Sequence, residues 1–170
     1  YYDGLMQYSG ADAPDYWMAQ IGWSPKLTQT LGSGKDATIG LLDFTVTDPT
    51  AGNVKTFNST SDFGNDHGSA VASLMVGPHD GQGTMGIAPN ATVVAYNPFD
   101  ATQTASWSDI KSGILALAAH NASVINMSLG VSGWTLRPDG NKVLNDPALA
   151  MIAQNSVLVM AAGNDGISQT

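Results

Sequence analysis

Short apolar runs alternate along this chain with stretches whose apolar residues recur at helical spacing. Four of the runs are long enough to be buried strands, and they cover residues 37–44, 91–99, 123–129 and 157–162. Strands that are buried on both faces appear as nearly continuous apolar runs, and helical crossovers connect such strands in parallel. The pattern therefore predicts an α/β fold with a parallel sheet and helices on both faces.

Three helices are predicted between these strands. Residues 67–76 carry small and apolar side chains at helical spacing, and residues 108–120 follow Ser108 as a predicted N-cap. Residues 146–155 begin with Asp146 as N-cap and Pro147 at the first helical position. The apolar stripe of the second helix consists of Ile110, Ile114, Leu117 and Ala118.

Polar residues follow several of the predicted strands at their carboxyl ends. Asp43 ends the first run, residues 128–130 follow the third, and Asn164 follows the fourth. His67 opens the first long helix, whose entry lies on the same side of the sheet. Because ligands of parallel sheets bind at the carboxyl ends of the strands, these residues are predicted to converge on one rim.

The residue types on this rim suit acyl-transfer chemistry. A carboxylate at Asp43 that accepts a hydrogen bond from His67 Nδ1 fixes the imidazole tautomer and leaves Nε2 as a general base. Asn164 is a neutral amide, which can donate a hydrogen bond to an oxyanion. On local sequence alone, a simple turn is the better explanation of Asn-Asp-Gly at this position.

Composition narrows the possible functions. The 170 residues have a net charge of -8, with six Lys and Arg, which argues against a nucleic-acid partner. Cysteine is absent, which excludes disulfides and thiolate chemistry, and no apolar run is long enough to span a membrane. Every acidic residue is Asp, so a His-Glu-x-x-His metal site is impossible.

Five segments resemble the subtilisin-like serine proteases. They are IGLLDF, DHGSAVASLMVG, GIAPNATVVAY, SVINMSLG and VLVMAAGNDG, and they occur in the order that the family uses. After His67 this chain has Gly-Ser-Ala-Val-Ala-Ser where the family favours Gly-Thr-His-Val-Ala-Gly. The small side chains leave the helix packing feasible.

The resemblance implies a role for each matching residue. Asp43 would orient the imidazole, His67 would act as general base and then as acid, and Asn164 would bind the oxyanion. Trp107 would line a more distant pocket, although packing at a helix start explains it equally well. The substrate-binding residues implied are Thr104, Ala105 and Ser106 as a strand edge, with Ser128, Leu129, Gly130, Ala161, Ala162 and Gly163 as pocket walls.

The nucleophilic serine of the family is missing from the sequence. The family carries it in a block like Gly-Thr-Ser-Met-Ala, whereas the one Gly-Thr here, at Gly83, is followed by Met85. Residues 1–170 are therefore expected to form the amino-terminal portion of one catalytic domain, inactive alone and held non-covalently to the remainder that carries the serine. The resemblance further implies peptide or protein substrates, a secreted location and no required cofactor, with structural calcium possible.

Three other interpretations fit parts of the sequence. A catalytically inactive subtilisin-like binding or regulatory module would retain the fold without the reaction. The stretch GQGTMG at residues 81–86 matches a dinucleotide-binding pattern, but Pro89 opposes the helix that should follow. His79 and Asp80 could contact a cation, although a solvated loop is favoured, and His120 is predicted to contact the terminal carbonyls of its helix.

Overall fold

The structure, a computed structural model, describes Met18 and residues 20–58, 63–130 and 146–161. Within these residues the chain forms a parallel sheet of five strands. Every helix within those ranges is too short or too polar to cross a membrane. The strands are β1 (Thr38–Leu42), β2 (Val54–Thr56), β3 (Thr92–Tyr96), β4 (Val124–Met127) and β5 (Val157–Met160). The α-helices are α1 (Pro25–Thr30), α2 (His67–Val76), α3 (Trp107–Ala119) and α4 (Pro147–Ile152), with short 3₁₀ turns at Gly32–Gly34 and Pro49–Ala51.

The strands lie in the order β2-β3-β1-β4-β5, which places β1 in the middle of the sheet. Strand β1 pairs with β3 from Thr38↔Thr92 to Leu42↔Tyr96, and all four strand pairings are parallel. The predicted parallel α/β architecture is therefore confirmed.

Alternate residues of the central strands enter two separate hydrophobic clusters. Leu42 and Val94 pack with α3 and α4 on one face, while Leu41 and Val93 pack with α2 on the other. This alternation follows from the two-residue period of a strand, and it explains why the strands appear as continuous apolar runs. The predicted stripe of α3 is also correct, because Ile114 and Leu117 are fully buried.

Two local features differ from the sequence prediction. Strand β2 has only three residues, and its polar Lys55 and Thr56 gave no apolar run to detect. Helix α3 begins at Trp107 with Ser106 as its N-cap, so the prediction of Ser108 as cap is wrong. Ser106 and Asp109 form a capping box, which satisfies two terminal N–H groups at once and moves the start of the helix.

Candidate active site

Asp43 is the first residue after β1 and is held at the carboxyl rim of the sheet. Its N–H donates to the carbonyl of Tyr96 on β3 (3.2 Å), which continues the strand pairing by one residue. Its side chain is 2% exposed, and Oδ1 accepts a hydrogen bond from the N–H of Phe44 (2.7 Å). The backbone bond to Tyr96 and the side-chain bond from Phe44 together fix the position of the Asp43 carboxylate.

His67 begins α2 and meets this carboxylate. Its Nδ1 lies 2.7 Å from Asp43 Oδ1, so the predicted contact between the two residues is present. The imidazole is 48% exposed, in contrast to the buried carboxylate. Asn65 accepts the His67 N–H through Oδ1 (3.0 Å), which satisfies a terminal donor of the helix and fixes the backbone that carries the imidazole.

Helix α2 packs directly on the segment that follows Asp43. A Cβ on Gly68 would collide with the carbonyl group of Phe44, so glycine is required for this approach. The next residue in α2 is the buried Ser69, whose Oγ accepts from the N–H groups of Thr47 (3.0 Å) and Asp48 (3.2 Å). These two hydrogen bonds could not be foreseen from the sequence, because a serine in a helix is usually interpreted as a small packing residue.

Burial dominates the electrostatics of Asp43. Loss of solvent raises the pKa of its carboxyl above the usual value, and the hydrogen bonds from His67 and Phe44 and the charge of His67 offset this only in part. Among the described residues, Asp43 Oδ2 is the one buried side-chain nitrogen or oxygen without a hydrogen-bond partner. Both donors converge on Oδ1, which leaves the second oxygen desolvated.

Part of the predicted substrate pocket lies at the carboxyl ends of the neighbouring strands β4 and β5. Ser128, Leu129 and Gly130 continue directly from β4, and the N–H of Ala161 donates to the Met127 carbonyl (3.2 Å). The first residues of the two predicted walls, Ser128 and Ala161, therefore leave the sheet side by side. No described atom lies within 4 Å of the position that a Cβ on Gly130 would take, and Leu129 packs against the α3 side of the core. Ala162, Gly163 and Asn164 lie outside the described residues, so their roles stay predictions.

The predicted strand edge at Thr104, Ala105 and Ser106 is a loop that enters α3. Thr104 accepts the Asp100 N–H through its carbonyl (2.9 Å) and donates its own N–H to Asp100 Oδ1 (3.2 Å). Ser106 donates its N–H to Asp109 within the capping box. Pairing of this segment with a peptide stays a prediction, and of its three residues Thr104 and Ser106 already use their N–H groups within the protein.

Trp107 is the first residue of α3 and is half-buried against the α3 side of the core. Further along α3, Lys111 Nζ donates to Asp146 (2.8 Å), which also caps α4 by accepting the Ala148 N–H (2.8 Å). The Lys111 bond and the Ala148 N–H bond lower the pKa of Asp146, with smaller contributions from the Lys111 charge and Trp107. The packing role of Trp107 is therefore visible, and a pocket role stays a prediction.

The remaining histidines take structural roles. His79 Nε2 bonds to the carbonyl of Gly86 (2.8 Å) and holds the loop that contains the GQGTMG stretch, which neither follows a strand nor opens a helix. The N–H of His120 contacts the carbonyls of Ala116 (3.2 Å) and Leu117 (3.1 Å) at the end of α3, as predicted, and its ring stacks on Phe57 with centroids 3.6 Å apart. Within the described ranges no three His, Cys, Asp or Glu side chains come together, so these residues offer no carboxylate-rich set that fits calcium.

A buried aspartate bonded to a half-exposed histidine at the carboxyl rim of a parallel sheet is an arrangement typical of α/β enzymes that use histidine as a base. The chain belongs to the subtilase family, whose sequence model matches residues 34–170. The resemblance seen in the sequence is thereby confirmed.

Relatives and solved structures agree with this assignment. The chain is 30% identical over 150 residues to the minor extracellular protease Epr of Bacillus subtilis (strain 168), covering 85% of this chain and 22% of that protein. It is 33% identical over 105 residues to subtilisin E of the same organism, covering 62% of this chain and 26% of that one.

The fold is similar to the prenylagaramide maturation protease PagA, with a TM-score of 0.62, 26% identity and coverage of 84% of this chain and 52% of that one. It is also similar to the self-cleaved protease domain of PatA, with a TM-score of 0.63, 25% identity and coverage of 79% and 52%. The chain thus spans 22–26% of the length of these curated relatives and 52% of each of these solved protease chains.

Proposed function

We propose that this chain supplies the Asp-His part of an endopeptidase that hydrolyses peptide bonds by a Ser-His-Asp mechanism. One observation carries the proposal: His67 Nδ1 lies 2.7 Å from the buried Asp43 carboxylate while the imidazole is 48% exposed. The carboxylate oxygen can only accept, so Nδ1 carries the proton and Nε2 holds the lone pair. That arrangement holds the imidazole in one orientation and leaves Nε2 as the base that faces the substrate.

The reaction assigns a separate task to each group. His67 Nε2 takes the proton of a serine hydroxyl as the oxygen attacks the scissile carbonyl, and it then gives that proton to the leaving amine. Asp43 holds the imidazole in the required tautomer and stabilises the imidazolium that forms. Asn164 donates to the oxyanion, a contribution known for subtilisin itself to be about 2.7–4 kcal/mol.

The nucleophilic serine is proposed to lie outside these residues, on the remainder of the catalytic domain. The coverage of 52% of the solved protease chains supports this, as does the exposed surface of β5. Val157, Val159 and Met160 are 62%, 45% and 56% exposed, which leaves apolar area for another part of the domain to cover. Without the serine, the rate should fall by roughly 10⁶, the loss known from subtilisin.

Peptides or proteins are the proposed substrates, and an extended peptide is proposed to lie along residues 104–106 and between the walls at 128–130 and 161–163. Main-chain hydrogen bonds of an added strand would supply its affinity. A location outside the cell is supported by a relative whose name describes it as extracellular. Structural calcium remains a proposal for which the described residues provide no ligand set.

A fluorophosphonate probe on the intact purified protein tests the mechanism. We expect one labelled serine, located by peptide mass mapping outside residues 1–170. His67→Ala should abolish labelling, because the probe needs the activated hydroxyl. His120→Ala is the matched control, since the ring of that histidine only stacks on Phe57, and it should label normally. Absence of any labelled serine in the wild-type protein would reject the endopeptidase and favour an inactive binding module.

The proposed partner is tested by comparing native and denaturing separations of the same sample. If the remainder of the domain is held non-covalently, size exclusion gives one species that denaturing electrophoresis resolves into a 17.6 kDa chain and a second one. A continuous longer polypeptide in both separations would show one covalent chain. A 17.6 kDa species in both would contradict the proposed association.

A further inference from the structure

A buried asparagine lies behind the proposed active site, directly after β3. Asn97 is 3% exposed, although it stands at the end of a strand whose other inward side chains are apolar. Burying an amide is costly unless its donors and acceptors are paired. The contacts of Asn97 therefore identify what this polar group holds in place.

Three contacts hold Asn97, one through its side-chain oxygen and two through its backbone. Its Oδ1 accepts the N–H of Phe99 (2.8 Å). Its backbone N–H donates to Asn58 Oδ1 (2.9 Å), and its carbonyl accepts from Asn58 Nδ2 (2.6 Å). With the backbone and Oδ1 held in this way, Nδ2 can point in only one direction.

That direction leads to the segment that carries Asp43. Asn97 Nδ2 donates to Thr45 Oγ1 (3.0 Å), two residues beyond Asp43. The ring of Phe44 between them stacks on Phe99 with centroids 4.2 Å apart and an interplanar angle of 12°. Asn97 and Phe99 thus contact residues 44 and 45 from the β3 side. On the α2 side, Ser69 bonds to Thr47 and Asp48.

We propose that Asn97 is a positioning residue for Asp43, which fixes the carboxylate relative to His67 by anchoring Thr45. The inference rests on the proposed function, since it assigns Asn97 a part in that reaction. It explains why a buried polar side chain occupies this place. A leucine, which has the same branched arrangement of side-chain heavy atoms, would occupy this place without the hydrogen bonds and would leave the segment after Asp43 free to shift.

The test uses the complete purified protease, with active sites counted by the fluorophosphonate probe and turnover measured on a tetrapeptide p-nitroanilide. Asn97→Leu should lower kcat per titrated site by roughly ten- to a hundredfold, because small displacements of catalytic groups have effects of that size, with KM changed less than about twofold. Thr45→Val should show a similar loss, and Thr45→Ser, which keeps the hydroxyl, should restore turnover.

Thr92→Val is the matched control. Thr92 Oγ1 accepts from the Asn53 side chain (2.9 Å) in an exposed Asn–Thr bond at the opposite end of β3, so its loss should leave kcat unchanged. If Asn97→Leu does not fold, the kcat per titrated site of Thr45→Val decides whether Asn97 has the positioning role.

Unchanged kcat per titrated site in Thr45→Val would overturn the positioning role, even if the yield of folded protein fell. A wild-type protein that labels no serine would instead reject the proposed function, and this inference with it.

Discussion

Replacing Gly68 with alanine tests whether the close approach of α2 sets the spacing of Asp43 and His67. A Cβ at this position would lie 2.8 Å from the Phe44 carbonyl carbon and nearer still to its oxygen, whereas real Cβ atoms keep at least 3.0 Å from such atoms. The obstacle is backbone, so the two segments must separate by roughly 1 Å to relieve the overlap. Such a movement takes the 2.7 Å contact between His67 and Asp43 out of hydrogen-bonding range.

We therefore expect Gly68→Ala to lower kcat/KM per titrated site by about 10²-fold, the effect of a misplacement near 1 Å. The free energy of unfolding, from urea titration, should fall by about 1–3 kcal/mol despite the better helix propensity of alanine. Ser73→Ala in the same helix is the control, because its hydroxyl bonds only locally, to the Ala70 carbonyl, and its removal displaces no backbone. A Gly68→Ala enzyme within about threefold of wild type would refute the reasoning.

Two further predictions concern residues beside this contact. Asp43→Asn should lower kcat by about 10⁴-fold. Because burial raises the pKa of Asp43, its contribution to folding is complete below the unfolded pKa near 3.8 and is lost as pH rises through the folded pKa. As the pH rises through the folded pKa, the wild-type protein should therefore lose stability that Asp43→Asn keeps, so the variant should become more stable relative to wild type, as measured by urea midpoints. A stability difference that does not change with pH would count against the raised pKa. Ser69→Ala should reduce the free energy of unfolding by about 1–3 kcal/mol by leaving two N–H groups unpaired, while Ser73→Ala, on the exposed side of α2, should have little effect.

The Asp43–His67 contact was predictable because two strong patterns coincide there. An apolar run that ends in Asp43 and a helix that opens with His67 place both residues on the same rim of a parallel sheet. The bounds of α2 and the Asp146 cap of α4 were also predicted correctly, since the cap precedes a proline at the first helical position.

The residues that hold this contact could not be predicted. Ser69 and Asn97 are polar side chains whose partners lie on other segments of the chain, so no local pattern distinguishes them from surface residues. The capping box at Ser106 has a local signature, Ser-x-x-Asp, but a second serine at position 108 competes with it in the sequence. Tertiary contacts therefore decide the roles of Ser69 and Asn97, whereas the start of α3 is decided locally between Ser106 and Asp109.

The central place of β1 has a consequence for the dynamics of the protein. Hydrogen exchange is slowest where a strand is paired on both sides, and β1 is bonded to β3 and β4, whereas β2 has a described neighbour only in β3. Transient opening would then begin at the periphery and leave β1 intact. The carboxylate that the proposed reaction requires is thus attached to the part of the sheet that opens last.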